Sequence, residues 1–258
     1  MGIHIIVCVK SVIVDTPEEP IPRSHDSCEL NPFDRPALEV ALRMREDSGG
    51  AVTALSMGPE SCAFSLYEAM AMGVDRSVLI SDPALAGSDT LATSTALAAA
   101  IEKLAPFDLV LFGTRSADSD TGQVGPQTAV ALDLPLVTWA HFIEQKGADL
   151  RVERRADGFQ ETFELSFPAA LTIRPGSIQP RDVGLLGIEV AFEEGKVENW
   201  SLEDLGVPPD QVGDIGSPTK VLSLSRVDRT RKCEFLLGSA EKQAENLIKR
   251  LSGLGLFW

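Results

Sequence analysis

The sequence predicts an α/β protein with a doubly wound parallel sheet, an antiparallel hairpin and an extended C-terminal arm. Strand-like and helix-like segments alternate through the first 142 residues, and the strand segments are short, continuously apolar runs. Strands separated by helices imply a parallel sheet that is covered on both faces. From residue 145 the pattern changes to alternating apolar and polar residues, which is typical of half-exposed antiparallel strands.

The first part of the chain carries five predicted strands and four predicted helices. The strands lie at residues 3–9, 51–57, 77–81, 108–112 and 136–142. The helices lie at residues 34–46, 61–72, 89–104 and 125–132. We expect Asp34 to be the N-cap of the first helix, with Pro36 in its first turn. Residues 11–30 are rich in proline and predict a long surface loop.

The second part begins with a hairpin of strands 150–155 and 159–165, which turn at Gly158. A buried strand follows at 169–173. Residues 177–216 lack a regular period apart from a short helix at 185–192, and their Gly and Pro content predicts an arm. A last strand at 218–224 and an amphipathic helix at 239–251, capped by Ser239, complete the chain.

Composition excludes several functional classes. The chain has 258 residues, with 38 acidic and 23 basic side chains and a net charge of −15. Such an acidic protein is a poor partner for nucleic acid, because phosphate neutralisation needs clustered cations. No apolar run reaches the ~20 residues that a membrane-spanning helix needs. The four cysteines are too far apart for a metal site, so we expect a cytoplasmic protein without a metal centre or direct membrane insertion.

Small polar residues cluster where predicted strands end. In parallel sheets, ligands bind outside the carboxyl ends of the strands. Residues 118–126 combine hydroxyls, Gly122 and Gly125 just before a helix, and residues 87–90 have similar chemistry. This pattern suits an anion at a helix N-terminus, and the glycines would let the backbone approach a phosphate. Ordinary helix capping explains the same residues, and the usual Gly-rich dinucleotide and P-loop motifs are absent.

Several motifs together resemble the beta subunit of electron-transfer flavoproteins. They are Val7-Cys8-Val9-Lys10, Asn31-Pro32-Phe33-Asp34, Leu55-Ser56-Met57-Gly58-Pro59, Ala71-Met72-Gly73-Val74-Asp75-Arg76, residues 118–126, Pro180-Arg181 and residues 200–206. These motifs cover nearly the whole chain in order. The resemblance implies an adenine-nucleotide alpha-hydrolase-like fold and an electron carrier rather than a substrate-converting enzyme.

The resemblance also implies cofactors and partners. An alpha subunit would hold most of a redox-active FAD, and this chain would bind a second adenine nucleotide, either AMP or, in electron-bifurcating members, FAD. Electrons would pass from acyl-CoA dehydrogenase-type donors to a quinone-reducing or other redox acceptor. Carried over by position, the nucleotide contacts are Cys8, Asn31, Pro32, Phe33, Asp34, Met57, Asp89, Thr90, Thr93, Arg115, Ser116, Ala117, Asp118, Ser119, Asp120, Thr121, Gly122, Gln123, Val124, Gly125 and Pro126.

The resemblance divides the chain by role. Residues 1–176 would form the nucleotide-binding domain, 177–216 a partner-recognition arm, and 217–258 a C-terminal strand and helix that pack on the partner subunit. The docking residues would be Arg181, Leu185, Leu186 and Ile188. We expect Gly184 and Gly187 to let Leu185 reorient between partners. The loop at residues 12–16 departs from the family's usual run, which leaves the lining of the flavin edge open.

Two other functions share this kind of sheet. A stand-alone nucleotide sensor of the universal-stress type would need more glycines after the fourth strand and no long arm. An ATP pyrophosphatase would need a Ser-Gly-Gly-x-Asp-Ser loop after the first strand, where this chain has Lys10-Ser11-Val12.

Overall fold

The computed structural model describes residues 2–13, 28–223 and 233–256. The chain divides into two compact units, Met1–Lys220 and Val221–Trp258. Residues 14–27 of the predicted 11–30 loop, which include part of the 12–16 run, lie outside the described residues. Within the described ranges, no helix combines the length and apolar character needed to cross a membrane.

A nine-stranded sheet forms the centre of the first unit. Its strands are β1 (Ile3–Cys8), β4 (Gly50–Met57), β5 (Arg76–Ile80), β6 (Leu109–Gly113), β7 (Leu136–Lys146), β8 (Asp149–Ala156), β9 (Phe159–Ser166), β10 (Ala169–Ile173) and β11 (Val197–Trp200). The order is β11-β5-β4-β1-β6-β10-β7-β8-β9, and the first seven run parallel while β8 and β9 extend the edge as an antiparallel hairpin. A small antiparallel pair, β2 (Ser11–Val12) and β3 (Glu29–Leu30), completes the strands.

Helices cover both faces of the sheet. They are α1 (Arg35–Ser48), α2 (Ala63–Met72), α3 (Thr90–Lys103), α4 (Val124–Ala131), α5 (Leu185–Glu193), α6 (Leu202–Leu205) and α7 (Gly213–Gly216), with short 3-10 turns at Glu60–Cys62, Pro83–Leu85 and Pro209–Gln211. Successive residues of β1 point to opposite cores. Ile5 and Val7 join α1 and α2 in one core, whereas Ile6 and Cys8 join α3 and α4 in the other. This doubly wound α/β fold is the one that the sequence predicted.

The strand order reverses beside β1. The chain runs outward from β1 through β4 and β5, then crosses to β6 on the other side of β1. In open α/β sheets, ligands bind at such a reversal, outside the carboxyl ends of the strands. We therefore take the ends of β1 and β6 as the candidate site and call this position the crevice.

The arm carries more structure than its aperiodic sequence indicated. Helix α5 is as predicted, but strand β11 and helix α6 were missed. β11 pairs with β5 at the edge of the sheet, which gives residues 197–200 their extended form. Ser201 and Asp204 form a capping box that starts α6. The functional boundaries at 177 and 217 stay predictions.

Helix α5 packs closely on α2. Phe192 stacks on Tyr67 with ring centroids 5.1 Å apart, and Ala191 is buried. A Cβ atom on Gly187 would lie 2.5 Å from the carbonyl oxygen of Ala71. Gly187 therefore permits a close approach of two helices, and its part in a reorientation of Leu185 stays a prediction. Gly184 has open space around it.

Two local predictions differ from the structure. The Asp34 side chain does not cap α1; it turns inward, as described below. Pro218–Ser223 has no regular secondary structure, so the predicted last strand is absent there, and Leu224 lies outside the described residues. In the second unit, α8 (Ala240–Gly253) begins after Ser239, as predicted, and none of its residues is buried within the chain.

Candidate functional site

A buried carboxyl group lies beneath the crevice. Asp34 Oδ2 accepts a hydrogen bond from the backbone N–H of Lys10, 2.8 Å away, at the end of β1. The backbone N–H of Gly113 donates to the same carboxyl group at the end of β6. Burial raises the pKa of Asp34 to about 7, although hydrogen bonds from Lys10 and Asn31 oppose the rise. Asp34 thus connects the two strand ends that border the crevice.

Cys8 lies in the same buried region. Burial first, and then the nearby charge of Asp34, raise the pKa of its thiol well above the ordinary range. Burial thus disfavours the thiolate, which is the nucleophilic form of cysteine.

Asn31 holds two loops together above this floor. Its side-chain amide donates to the carbonyl of Arg115 over 2.9 Å, and its side-chain oxygen accepts from the N–H of Ala117 over 3.2 Å. The Arg115 guanidinium lies 4.5 Å from the ring centre of Phe33 and 3.0 Å from Asp120 Oδ1. The 31–34 turn and the 115–120 loop therefore form one surface, although they are more than 80 residues apart in sequence.

Lys10 is a second cation of this surface, beside Arg115. Its Nζ lies 2.7 Å from Asp118 Oδ1 and 3.4 Å from each of the hydroxyls of Ser116 and Ser119. Those two hydroxyls are 2.8 Å apart. The side chain of Lys10 is therefore bound to the 115–120 loop.

The loop contains left-handed backbone and an unsatisfied hydroxyl. Asp120 and Gly122 have φ values of 53° and 63°, and glycine favours this conformation. The Thr114 hydroxyl is buried and has no hydrogen-bond partner among the described residues. Buried polar atoms are normally satisfied, and either a polar ligand or a water molecule would supply the missing partner.

The start of α3 borders the loop. Thr90 Oγ1 donates to Gln123 Oε1 over 3.1 Å, and Ser94 Oγ lies 3.2 Å from the carbonyl oxygen of Val124. Asp89 Oδ1 caps α3 by accepting from the N–H groups of Leu91 and Ala92. The two small-residue loops that the sequence singled out thus meet.

Gly125 packs against the sheet. A Cβ atom there would lie 3.1–3.2 Å from atoms of Phe112 and Thr172, both of which belong to the sheet. Close packing of α4 on the sheet is therefore a sufficient reason for glycine at this position. Gly122, whose φ is positive, stands in the loop itself.

The predicted nucleotide-contact residues differ in their exposure and in their distance from the crevice. Pro32, Phe33 and the run 115–124 form the surface, and Thr90 adjoins it through Gln123. Asn31 is buried between the two loops that it joins, and Cys8 and Asp34 are buried as well. Met57 and Thr93 are half-buried at the end of β4 and in the first turn of α3. Sequence reasoning missed Thr114, whose only signal was its place directly after a strand. Ligand contact itself stays a prediction for all of them.

The predicted docking residues lie apart from the crevice. Leu185 and Leu186 are 86% and 72% exposed, and Ile188 is 40% exposed. The Arg181 guanidinium donates to Glu39 and Glu46 of α1 at 2.8 and 2.7 Å. Arg181 therefore anchors the base of the arm, while the exposed leucines remain candidates for docking.

Comparison with known proteins identifies the family. A family model described as the electron transfer flavoprotein domain matches residues 22–205. The chain belongs to this family. Electron transfer flavoprotein subunit beta of Thermoanaerobacterium thermosaccharolyticum is 41% identical over 86% of this chain and 85% of the relative. The corresponding subunit of Clostridium acetobutylicum is 36% identical over 96% of this chain and 97% of the relative. The caffeyl-CoA reductase-Etf complex subunit CarD of Acetobacterium woodii is 38% identical over the same shares.

These matches place the chain among the beta subunits of electron transfer flavoproteins, which serve electron transport. The resemblance inferred from the motifs is confirmed. The crevice between β1 and β6 is thus the candidate site of an electron-transfer subunit, and a flavin cofactor fits the family.

Proposed function

We propose that this chain is the beta subunit of a two-subunit electron carrier and binds an adenine nucleotide in the crevice between β1 and β6. The observation that carries the proposal is the joining of the 31–34 turn, the 115–123 loop and the start of α3 by side-chain hydrogen bonds. The nucleotide is AMP, or FAD in a bifurcating complex, and an alpha subunit holds the redox-active FAD.

The chain's own groups suit such a nucleotide. The Lys10 ammonium group supplies a positive charge at the mouth of the crevice, and the 115–123 loop supplies backbone N–H groups and hydroxyls. Asp34 is buried and bound to backbone N–H groups, so it shapes the floor rather than contacting a phosphate. The Thr114 hydroxyl gains a partner when a polar ligand is present.

The bound flavin supplies the redox chemistry, and the protein supplies its position and surroundings. This division accounts for a site built from loop amides, hydroxyls and two cations that are paired with aspartates of the loop. The chain therefore acts as a carrier and does not convert a substrate by itself.

The names of two relatives point to the redox partners. One belongs to a caffeyl-CoA reductase complex, and another, from Anaerotignum propionicum, is an acryloyl-CoA reductase electron transfer subunit that is 33% identical over 96% of this chain. We propose that this carrier likewise exchanges electrons with a flavoenzyme that acts on acyl-CoA thioesters, and with a second redox acceptor, through the exposed face of α5. We place it in the cytoplasm, where its free cysteines stay reduced.

Co-expression with the alpha subunit tests the proposal. We expect a yellow complex with a flavin absorption band, which releases either one FAD and one AMP or two FAD on denaturation. The chain expressed alone is the control, and we expect it to be colourless if its nucleotide is AMP. A chain that stays monomeric and colourless beside the alpha subunit, and that binds ATP instead, would favour the stand-alone sensor.

A further inference from the structure

A segment far along the chain closes against the start of α3. We call residues 213–219 the latch. The N–H of Asp89 donates to Ser217 Oγ over 2.7 Å, and the N–H of Thr219 donates to Asp89 Oδ2 over 2.9 Å. The N–H of Gly213 donates to Ser88 Oγ over 2.9 Å. Three hydrogen bonds therefore join the latch to the 88–89 turn that leads into α3.

The latch is built for close packing. Gly213 has a φ of 65°, and backbone carbonyls of residues 84 and 86 occupy the space of a Cβ atom there. A Cβ atom on Gly87 would lie 2.9 Å from Asp214 Cβ. Ser217 is only 3% exposed and donates to the carbonyl of Gly213 over 2.6 Å. Its hydroxyl thus both accepts and donates within the contact.

Asp89 connects the latch to the start of α3, which borders the nucleotide site. One carboxylate oxygen caps α3 and the other binds the latch, so both are occupied within the protein. Burial opposes ionisation of Asp89, but the hydrogen bonds from Ala92 and Thr219 outweigh it and lower the pKa. The next residue, Thr90, donates to Gln123 in the 115–123 loop.

We infer that Ser217 is a positioning residue of the nucleotide site, because it fixes Asp89 and thereby the start of α3 against the 115–123 loop. The inference rests on the proposed function. Ser217 lies 128 residues from Asp89 in sequence, and its hydroxyl reaches the 87–90 loop at the N–H of Asp89 and, over 3.3 Å, at the carbonyl of Gly87.

Three substitutions at Ser217 in the full chain test this role. Ser217→Ala removes the acceptor of the Asp89 N–H, Ser217→Cys preserves the size but accepts weakly, and Ser217→Thr keeps the hydroxyl. Ser223→Ala is the matched control, because the same change is made at an exposed serine outside the latch. After the nucleotide is stripped, calorimetric titration with AMP and with FAD measures the dissociation constants, and urea unfolding measures stability.

We expect Ser217→Ala and Ser217→Cys to weaken nucleotide binding by about tenfold, as for the loss of one buried hydrogen bond. Ser217→Thr and Ser223→Ala should stay within about threefold of the wild type. If the folded Ser217 variants are less stable but bind the nucleotide as tightly as the wild type, the residue is only structural and the inference is wrong. If Ser217→Ala does not fold, Ser217→Cys decides by the same criterion. A wild-type chain that binds neither AMP nor FAD would refute the proposed nucleotide site instead.

Discussion

Substitution of Leu185 tests partner docking without affecting folding. Its side chain is 86% exposed, at the first position of α5. Complete burial of a leucine stabilises a protein by ~1.5–3 kcal/mol, so the small buried fraction here contributes only a few tenths of a kcal/mol to folding. In the Leu185→Ala variant, the free energy of unfolding should therefore change by less than ~0.5 kcal/mol, which corresponds to a Tm shift of at most ~2 °C.

Docking should respond much more strongly. If the partner covers Leu185, truncation removes most of the burial energy that the free chain leaves unused, about 2 kcal/mol. That loss corresponds to roughly a 30-fold weaker complex. The assay is electron exchange between the purified two-subunit carrier and an acyl-CoA dehydrogenase-type partner, followed by stopped-flow absorbance over a range of carrier concentrations.

Two control variants distinguish a docking residue from an ordinary exposed residue and from a core residue. Val130→Ala removes methyl groups from a side chain that is 78% exposed on α4, so it should leave both stability and electron exchange unchanged. Leu202→Ala removes a side chain that is only 4% exposed, so it should lower the Tm. Should Leu185→Ala behave like Leu202→Ala, with a lower Tm and unchanged exchange, the docking assignment is refuted.

Three further predictions concern the framework around these surfaces. Gly187→Ala would place a Cβ atom 2.5 Å from a carbonyl oxygen of α2, so α5 would have to shift. We therefore expect slower electron exchange with the partner at unchanged nucleotide content. If the exchange rate is unchanged, docking does not depend on the position of α5. Burial raises the pKa of Asp34 to about 7, above the usual ~4, so its contribution to stability is complete below pH ~4 and is lost as the pH rises through about 7. Urea unfolding from pH 5 to 8 should show a shallower decline for Asp34→Asn, and parallel curves would contradict this. The Glu39 carboxylate is 3% exposed and binds Arg181, so Glu39→Ala should lower the free energy of unfolding in urea by ~2 kcal/mol. Glu46→Ala, at a half-exposed carboxylate, should lower it by less than ~0.5 kcal/mol. Equal losses would show that burial of the carboxylate does not set the strength of these ion pairs.

Much of the fold could be read from local patterns. Strand β10 lies where the apolar run 169–173 predicted it, and α3 begins directly after Asp89, which was included at the start of the predicted helix. These elements are encoded by periodicity and capping, which depend on neighbours in sequence. Strand β11 was missed because its four residues become a strand by pairing with β5, more than 100 residues earlier.

The candidate site was predictable in outline and not in its connections. Small and polar residues after predicted strands located the loops at 87–90 and 118–126. The family resemblance added residues 31–34 and 115–117. These signals could not show that Asp34 faces inward, that Arg181 binds α1, or that Asp89 serves both α3 and the latch. Those roles depend on hydrogen bonds that form between carboxylate oxygens and distant N–H groups only after the chain has folded.

The sequence by itself determined the parallel α/β sheet, the order of its main elements, the family and the loops that border the crevice. The tertiary structure alone decided the pairing of β11, the close packing of α5 on α2 and the attachment of residues 213–219 to the start of α3. The physical reason is that periodicity and capping act over a few residues. The other contacts join groups that are more than 100 residues apart, and only the packed sheet brings them within hydrogen-bonding or van der Waals distance.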